Sequence, residues 1–336
     1  MAKIDILALE DEGMVGSIAG QKALLYGSNN CGKTFTAAHM PKPLLLMTEA
    51  GGNAIRCKKT PITTWASFKD IVSQLTNEKT LEETKAVYTT IIVDTAERLV
   101  ELAEEAVCKE FGVRDLSEIT GKTNGYSISR KDFRNQINKL CSCGYFILFI
   151  GHEETVDKTE ELTGETYKFT QPKGTDNIKS SMRFLRDLCD FTIYAKPNGI
   201  DANGDVIPST GICKQTKHVF ARSRYAIQTF IEPLNAKNLE DAIVKAIERS
   251  AEDEGSTLST WKKTYEDTTR DEWIEMIKPY ATAIGKRYPD KVREIIYSWL
   301  GESAKLADAT EDNRVELENI YNALTTFACD FGIVVE

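Results

Sequence analysis

One octapeptide constrains this chain more than any other feature. Its letters, GSNNCGKT, run from Gly27 to Thr34 and fit the pattern G-x-x-x-x-G-K-[ST] in full. An apolar run at residues 23–26 precedes it and predicts a buried strand, and a helix-compatible run at 35–38 follows it. This strand–loop–helix context favours a phosphate-binding loop over a chance glycine-rich turn.

The residue types in the octapeptide suit that chemistry. Gly27 and Gly32 allow the backbone to curl so that its N–H groups point at phosphate oxygens, and the helix that starts there adds the positive end of its dipole. Lys33 is expected to reach the β- and γ-phosphates of ATP, and Thr34 to offer its hydroxyl to Mg²⁺. The predicted nucleotide-binding residues are Gly27, Ser28, Asn29, Asn30, Cys31, Gly32, Lys33, Thr34 and Phe35.

Length and composition bound the architecture. The 336 residues are enough for one large α/β domain plus a smaller appendage, and a hydrophobic content of 41% supports a packed core. A net charge of −9 argues against a broadly basic nucleic-acid coat but leaves a local basic groove open. The chain contains no apolar run long enough to span a bilayer, and its mixed, acidic start is not expected to be a signal peptide. The eight cysteines fit no zinc spacing and predict reduced thiols in a cytoplasmic protein, within a bacterial host if the chain is phage-encoded.

Strand and helix patterns alternate through most of the chain. Buried strands are predicted at residues 43–49, 88–94, 145–150 and 191–195, with a further strand considered at 213–222. Helices are predicted at residues 65–75, 96–111, 129–141, 182–188 and 239–252. The alternation predicts an α/β fold whose mostly parallel, twisted sheet is flanked by helices. We expect a lead-in at 1–21, a P-loop NTPase core at 22–254 and a C-terminal helical region at 255–336, with helix breaks near Pro279, Gly285, Pro289 and Gly301.

Polar residues close the predicted strands. Asp94 ends the third strand, where a carboxylate holds Mg²⁺ through water in the Walker B role, although it could also cap the next helix. The residue after it is Thr95, so the AAA+ pattern with Glu at that position is absent. Glu49 ends the second strand and is the candidate general base, the alternative being an ordinary turn acid. His152 ends the fourth and is either a sensor of the γ-phosphate or a histidine satisfied by backbone.

Two later segments carry positive charge. Arg222 and Arg224 are suited to bidentate phosphate contact or to a finger role between subunits, and their alternative is a solvated basic strand edge. Residues 155–179 contain a hairpin signal around 162–165. Bases could stack there on Tyr167 and Phe169 while lysines meet phosphates, or the segment is simply a surface hairpin.

The order of these features resembles one family. Over roughly residues 24–234, the chain is similar to the RecA-like phage nucleotide-binding ATPases, a group of P-loop NTPases that includes RecA-related single-strand annealing proteins of bacteriophages. The resemblance rests on the phosphate loop, the segment PLLLMTEAGG that contains Glu49, the strand ending at Asp94, the sequence Gly151-His152-Glu153 and the basic pair Arg222 and Arg224.

The resemblance implies roles that the residues alone leave open. Glu49 falls where the family has its catalytic glutamate. Arg222 and Arg224 fall where a basic pair can act across a subunit interface, although Arg222 stands where lysine is more usual. The resemblance also implies an ATPase that assembles with itself into a ring or filament and handles single-stranded DNA.

Three functions are consistent with these observations. The first is an ATP-hydrolysing, RecA-like protein of phage DNA recombination, annealing or replication. The second is a nucleotide-gated assembly protein whose C-terminal helices recruit a partner. The third is a small-molecule kinase, which is disfavoured because this sequence has no arginine run of the kind that forms a lid in such kinases. Those C-terminal helices could oligomerise, bind a single-strand-binding protein or cap the core.

Overall fold

The computed structural model describes residues 12–49, 55–77, 79–120, 124–261, 270–310, 313–331 and 333. The chain divides into two compact units, one spanning Asp11–Lys263 and the other containing Thr264–Glu336. The predicted end of the core at residue 254 stays a prediction, and the predicted turn at residues 50–53 lies outside the described residues.

The elements are labelled in chain order. The strands are β1 (Met14–Val15), β2 (Lys22–Gly27), β3 (Pro43–Met47), β4 (Lys58–Pro61), β5 (Thr90–Asp94), β6 (Phe146–Thr159), β7 (Thr166–Pro172), β8 (Phe191–Lys196), β9 (Thr210–Ile212), β10 (Arg222–Ser223), β11 (Phe230–Ile231) and β12 (Leu258–Ser259). The helices are α1 (Lys33–Ala38), α2 (Trp65–Leu75), α3 (Leu81–Val87), α4 (Ala96–Phe111), α5 (Gly125–Cys141), α6 (Ser181–Leu188), α7 (Ala236–Glu254), α8 (Arg270–Gly285), α9 (Pro289–Leu300) and α10 (Arg314–Asp330).

The larger unit is built on a mostly parallel sheet. Its path runs β11-β9-β8-β2-β6-β5-β3-β4, and the strands from β8 to β4 are parallel to their neighbours. Strands β9, β10 and β11 add antiparallel pairs at one side, and β7 pairs antiparallel with the outer half of β6. The predicted fold class, a mostly parallel sheet flanked by helices, is confirmed.

Helices cover both faces of this sheet because its strands are apolar on both sides. Along β2, Ala23 and Leu25 pack into a cluster with α1 and α7, whereas Leu24 packs into a second cluster with α2, α4, α5 and α6. The two clusters fix the orientation of β2 and β5, whose ends carry the phosphate loop and Asp94. The core therefore positions the candidate site at one edge of the sheet.

Some element boundaries differ from prediction. Strand β6 continues to Thr159, well past the predicted end, because its outer half pairs with β7 in the hairpin that the sequence predicted around 162–165. The strand considered at residues 213–222 is wrong: β9 ends at Ile212, and the next strand, β10, contains two residues. In the part of the chain that the structure describes, no helix is long and apolar enough to cross a membrane.

The smaller unit is helical, as predicted. Helices α8, α9 and α10 share a cluster of buried side chains that includes Ile277, Ile284, Ile295 and Ile320. The predicted break at Pro279 is wrong, because α8 continues through this proline. Both Ile277 and Ile284 are fully buried on either side of it, so burial in the cluster outweighs the lost helical hydrogen bond.

Candidate nucleotide-binding site

The phosphate loop connects β2 to α1 and needs both of its glycines. Gly32 has a φ of 80°, in the left-handed region that favours glycine, and it caps the start of α1. A Cβ atom added at Gly27 would lie 2.6 Å from the carbonyl oxygen of Ala195 on β8. One glycine is therefore required by backbone conformation and the other by the close packing of the neighbouring strand.

Lys33 is held inside the loop. Its side chain is buried, and its Nζ donates to the carbonyl oxygens of Gly27 at 2.9 Å and Ser28 at 2.6 Å. These carbonyls belong to the loop itself, so the ammonium group is fixed among the backbone groups that would surround a phosphate.

Thr34 and Asp94 meet at the foot of the loop. The hydroxyl of Thr34 donates to Oδ2 of Asp94 over 2.6 Å, which joins the start of α1 to the end of β5. Burial raises the pKa of Asp94, and the Thr34 hydrogen bond and the nearby Lys33 charge oppose that shift. A hydroxyl and a carboxylate are oxygen ligands of the kind Mg²⁺ prefers, and a cation would offset the burial of the carboxylate. The pair thus fits the predicted metal role.

A second polar pair lies beside the first. Oε1 of Glu49 accepts a hydrogen bond from the hydroxyl of Thr95 at 2.7 Å, and the Thr48 hydroxyl bonds both backbone groups of Thr95. Thr95, not Asp94, is the N-cap residue of α4, and its hydroxyl makes no capping bond. The alternative role of Asp94 as helix cap is therefore wrong. Glu49 itself is exposed, so its carboxylate faces the cleft with its orientation held by Thr95.

His152 lies at the same edge of the sheet, in contact with Glu97, a residue that the sequence analysis missed. The backbone N–H of His152 donates to Oε1 of Glu97 at 2.6 Å, and its Nδ1 lies 3.9 Å from Oε2 of Glu97. Burial raises the pKa of Glu97 to about 7. The only signal in the sequence was an acid in the first turn of α4, which is commonplace at helix starts and does not indicate a site.

These groups surround one cleft of about 580 Å³. Its walls include most of the predicted nucleotide-binding residues and the four polar residues Glu49, Asp94, Thr95 and His152. Its lining residues are Asn29, Asn30, Cys31, Gly32, Lys33, Thr34, Phe35, Leu45, Met47, Glu49, Ile55, Asp94, Thr95 and His152. Among the residues that the structure describes, no group of three His, Cys, Asp or Glu side chains forms a separate metal cluster.

Arg222 and Arg224 lie elsewhere. Strand β10 pairs with the beginning of β8, with Arg222 opposite Thr192, whereas the phosphate loop follows the end of β2. Nη1 of Arg224 contacts Oδ1 of Asp190 at 3.0 Å. Within one chain these arginines are therefore at the opposite end of the sheet from the cleft, and their role across a subunit interface stays a prediction.

The β6–β7 hairpin carries the predicted stacking residues. Phe169 is only 4% exposed and lies beneath the ammonium group of Lys158, so the prediction that bases stack on this ring is wrong. Tyr167 is partly exposed, and Nζ of Lys217 lies 5.4 Å from its ring centre. Of the predicted aromatic pair, one ring packs inside the protein and the other is accessible.

Comparison with known proteins agrees with this geometry. The family described as AAA domain (AAA_24) matches residues 19–225, which include the phosphate loop, Asp94 and the parallel sheet. The SPbeta prophage-derived uncharacterized protein YorG of Bacillus subtilis (strain 168) is 31% identical over 318 residues, covering 91% of this chain and 93% of that protein. The match holds although Thr95 replaces the Glu of the AAA+ pattern. The chain belongs to the AAA domain family and carries a P-loop domain of the ATPase type.

Proposed function

We propose that the protein binds ATP with Mg²⁺ in this cleft, hydrolyses it, and works as a RecA-like ATPase in phage DNA recombination, single-strand annealing or replication. One observation carries the hydrolytic part: the start of α1 with Lys33 and Thr34, the end of β5 with Asp94, and Glu49 after β3 all line a single cleft. Positioning and charge are most of what phosphoryl transfer requires from a protein.

Each residue has a distinct task in this proposal. Lys33 exchanges its loop carbonyls for the β- and γ-phosphate oxygens of ATP. Thr34 and Asp94 would hold Mg²⁺, which supplies positive charge against the phosphates when bound. Glu49, oriented by the Thr95 hydroxyl, accepts a proton from the attacking water. His152 lines the cleft at the point where β6 continues into the β6–β7 hairpin, and it transmits the state of the bound nucleotide to that hairpin.

The DNA part rests on different support. The chain resembles RecA-like phage ATPases in motif order, and its Bacillus subtilis relative is prophage-derived. The hairpin that starts next to His152 presents Tyr167, with Nζ of Lys217 5.4 Å from its ring centre, and it also carries Lys158 and Lys168. An accessible ring beside a cation is suited to a single strand, since every base has a face that can stack.

Turnover of ATP by the full chain with Mg²⁺, with and without single-stranded DNA at low and moderate salt, tests both parts. Stimulation that fades with salt is expected, because phosphate contacts release counterions. Lys33→Ala, measured beside it, reports any contaminating ATPase. Absence of turnover in the unsubstituted protein would contradict the hydrolytic part, and hydrolysis indifferent to DNA would contradict the DNA part alone.

A second candidate function is a nucleotide-gated assembly that does not use DNA. Lys168 of the hairpin and Lys217 beside it already have acidic partners, Asp157 at 2.8 Å and Glu160 at 3.4 Å, and the net charge is −9. In this case ATP drives self-association into a ring or filament, and the helices α8–α10 recruit a protein such as a single-strand-binding protein. Light scattering with ATP and with ADP, in the absence of DNA, distinguishes it from the first.

A further inference from the structure

Glu97 is a largely buried carboxylate in the first turn of helix α4. Its side chain is 11% exposed, Oε1 accepts from the backbone of His152, and Oε2 has no hydrogen-bond partner among the described residues. Burying a charged oxygen without a partner costs free energy, and such groups in native structures call for an explanation. The position of Glu97 suggests what that explanation is.

Glu97 lies where β6 changes partners. Strand β6 pairs with β2 as far as His152, which is opposite Gly27 of the phosphate loop, and it pairs with β7 from Glu153 onward. The His152 carbonyl accepts from the backbone N–H of Lys173 at 2.9 Å, just past the end of β7. His152 is therefore the junction between the nucleotide cleft and the hairpin, and Glu97 holds its backbone.

Close packing leaves little freedom at this junction. A Cβ atom added at Gly151 would lie 3.1 Å from Oε1 of Glu97, so the strand and the carboxylate are in direct contact. Oε2 is 3.9 Å from Nδ1 of His152, about 1 Å beyond a hydrogen bond. A small rotation of the His152 ring would close that gap and let Oε2 accept a hydrogen bond from Nδ1.

We propose that Glu97 is a positioning residue that couples the nucleotide cleft to the β6–β7 hairpin: Oε1 holds the backbone of His152, and Oε2 is placed to receive its ring. The inference rests on the proposed binding of ATP in the cleft. A terminal phosphate that contacts the ring turns it toward Oε2, and the carboxylate, which also holds the backbone N–H of His152, passes that movement to the backbone. The hairpin is the element whose order then depends on the nucleotide.

Hydrogen exchange of the hairpin amides, residues 153–172, tests the coupling. The full chain is compared with a non-hydrolysable ATP analogue plus Mg²⁺ and with ADP plus Mg²⁺. In the unsubstituted protein we expect exchange rates to differ about tenfold between the two nucleotides, in the usual range of allosteric coupling. In Glu97→Ala the difference falls to less than about twofold, while affinity for the analogue is little changed because the phosphate loop is intact.

Two further variants separate the roles of the carboxylate. Glu97→Gln keeps an oxygen for the His152 backbone N–H, but its second polar group cannot accept from Nδ1, so an intermediate difference is expected. Glu101→Gln is the matched control, because Glu101 is on the same helix, is 58% exposed and pairs only with Arg98 among the described residues. It should retain the full difference. The melting temperature of Glu97→Gln should not fall, whereas a merely structural role predicts a loss.

The outcomes separate this inference from the function beneath it. If the unsubstituted protein binds neither nucleotide, the proposed function fails and the coupling fails with it. If it binds both but its hairpin exchanges equally in the two states, or if Glu97→Ala retains the tenfold difference, nucleotide binding stands and the role of Glu97 is overturned.

Discussion

The charged groups at the two ends of the parallel sheet differ in how fully they are paired within the protein. At the amino ends of the strands, Asp190 accepts from the backbone N–H of Lys22 at 2.9 Å, from its Nζ at 3.0 Å and from Nη1 of Arg224 at 3.0 Å. At the carboxyl ends, Lys33 has loop carbonyls and Asp94 has a hydroxyl as hydrogen-bond partner, and Oε2 of Glu97 has no partner among the described residues.

This difference separates stability from binding. A buried carboxylate with two cations and a backbone donor is satisfied within the chain, so it holds β8, β10 and β2 together. Polar groups whose charges are not matched inside the protein gain more from an external ligand, and the carboxyl ends of parallel strands are where such ligands bind. The comparison predicts that substitutions at the carboxyl ends of the strands change ATP turnover, whereas substitutions at the amino ends change the stability of the fold.

Lys33→Ala is expected to have the largest effect. Loss of a charge aimed at the phosphates should reduce ATP turnover by at least about 10²–10³-fold, with no loss of thermal stability. Lys22→Ala is the matched variant at the other end of β2, and should lower the melting temperature while leaving turnover per folded molecule unchanged. Equal effects of the two substitutions on turnover would break the comparison.

Glu49→Gln separates ATP binding in the cleft from ATP hydrolysis. The amide can still accept from the Thr95 hydroxyl, but it cannot take a proton from water, so binding of ATP should persist while hydrolysis slows about 10²-fold. Equilibrium binding of a fluorescent ATP analogue and single-turnover hydrolysis measure the two separately. Normal hydrolysis by this variant would move the general base to another residue.

Asp190→Ala tests the other end. Removing the shared carboxylate takes the ion-pair partner away from Lys22, whose Nζ retains the Gly20 carbonyl in a partly buried site. We expect a loss of about 3 kcal/mol in the free energy of unfolding. Urea denaturation measures it. Arg224→Ala should cost less, about 1 kcal/mol or below, because its side chain is 46% exposed. If Arg224→Ala instead lowers turnover in a concentration-dependent way, the arginine acts across a subunit interface.

Glu97→Gln has a small expected effect, and it depends on pH. Burial raises the pKa of Glu97 to about 7, with Lys173 opposing and Glu49 reinforcing the shift, while an unfolded glutamate titrates near 4.5. The stability this group contributes is therefore full below about pH 4.5 and is lost as the pH rises through 7. Glutamine does not titrate, so the variant should gain on the order of 1 kcal/mol relative to the unsubstituted protein at pH 8 but not at pH 4.5. Urea denaturation at both pH values measures the gain.

Much of the core could be predicted because local patterns agree with the tertiary structure. The helices at Trp65–Leu75 and Ala96–Phe111 begin and end where their apolar spacing predicts. The prediction failed where long-range pairing decides: β6 extends to Thr159 because β7 lies beside it, and the segment 213–222 has an isolated bridge at Val219 to Thr170 in place of a continuous ladder. When two strands that pair are far apart in sequence, the local pattern of residues does not indicate their pairing.

The sequence by itself determined the phosphate loop, the buried strands β2, β3, β5 and β8 with the buried half of β6, and the polar residues at the ends of β3, β5 and that half of β6, since each depends on residue type and spacing over a few positions. Only the tertiary structure decided which of those residues meet. It brings Thr34 to Asp94 and Glu49 to Thr95, buries Phe169, and carries Arg222 and Arg224 to the far end of the sheet. It also places Glu97 against His152, because the first turn of α4 packs on the end of β6. Burial and contact between distant segments belong to the packed chain, and no stretch of sequence contains them alone.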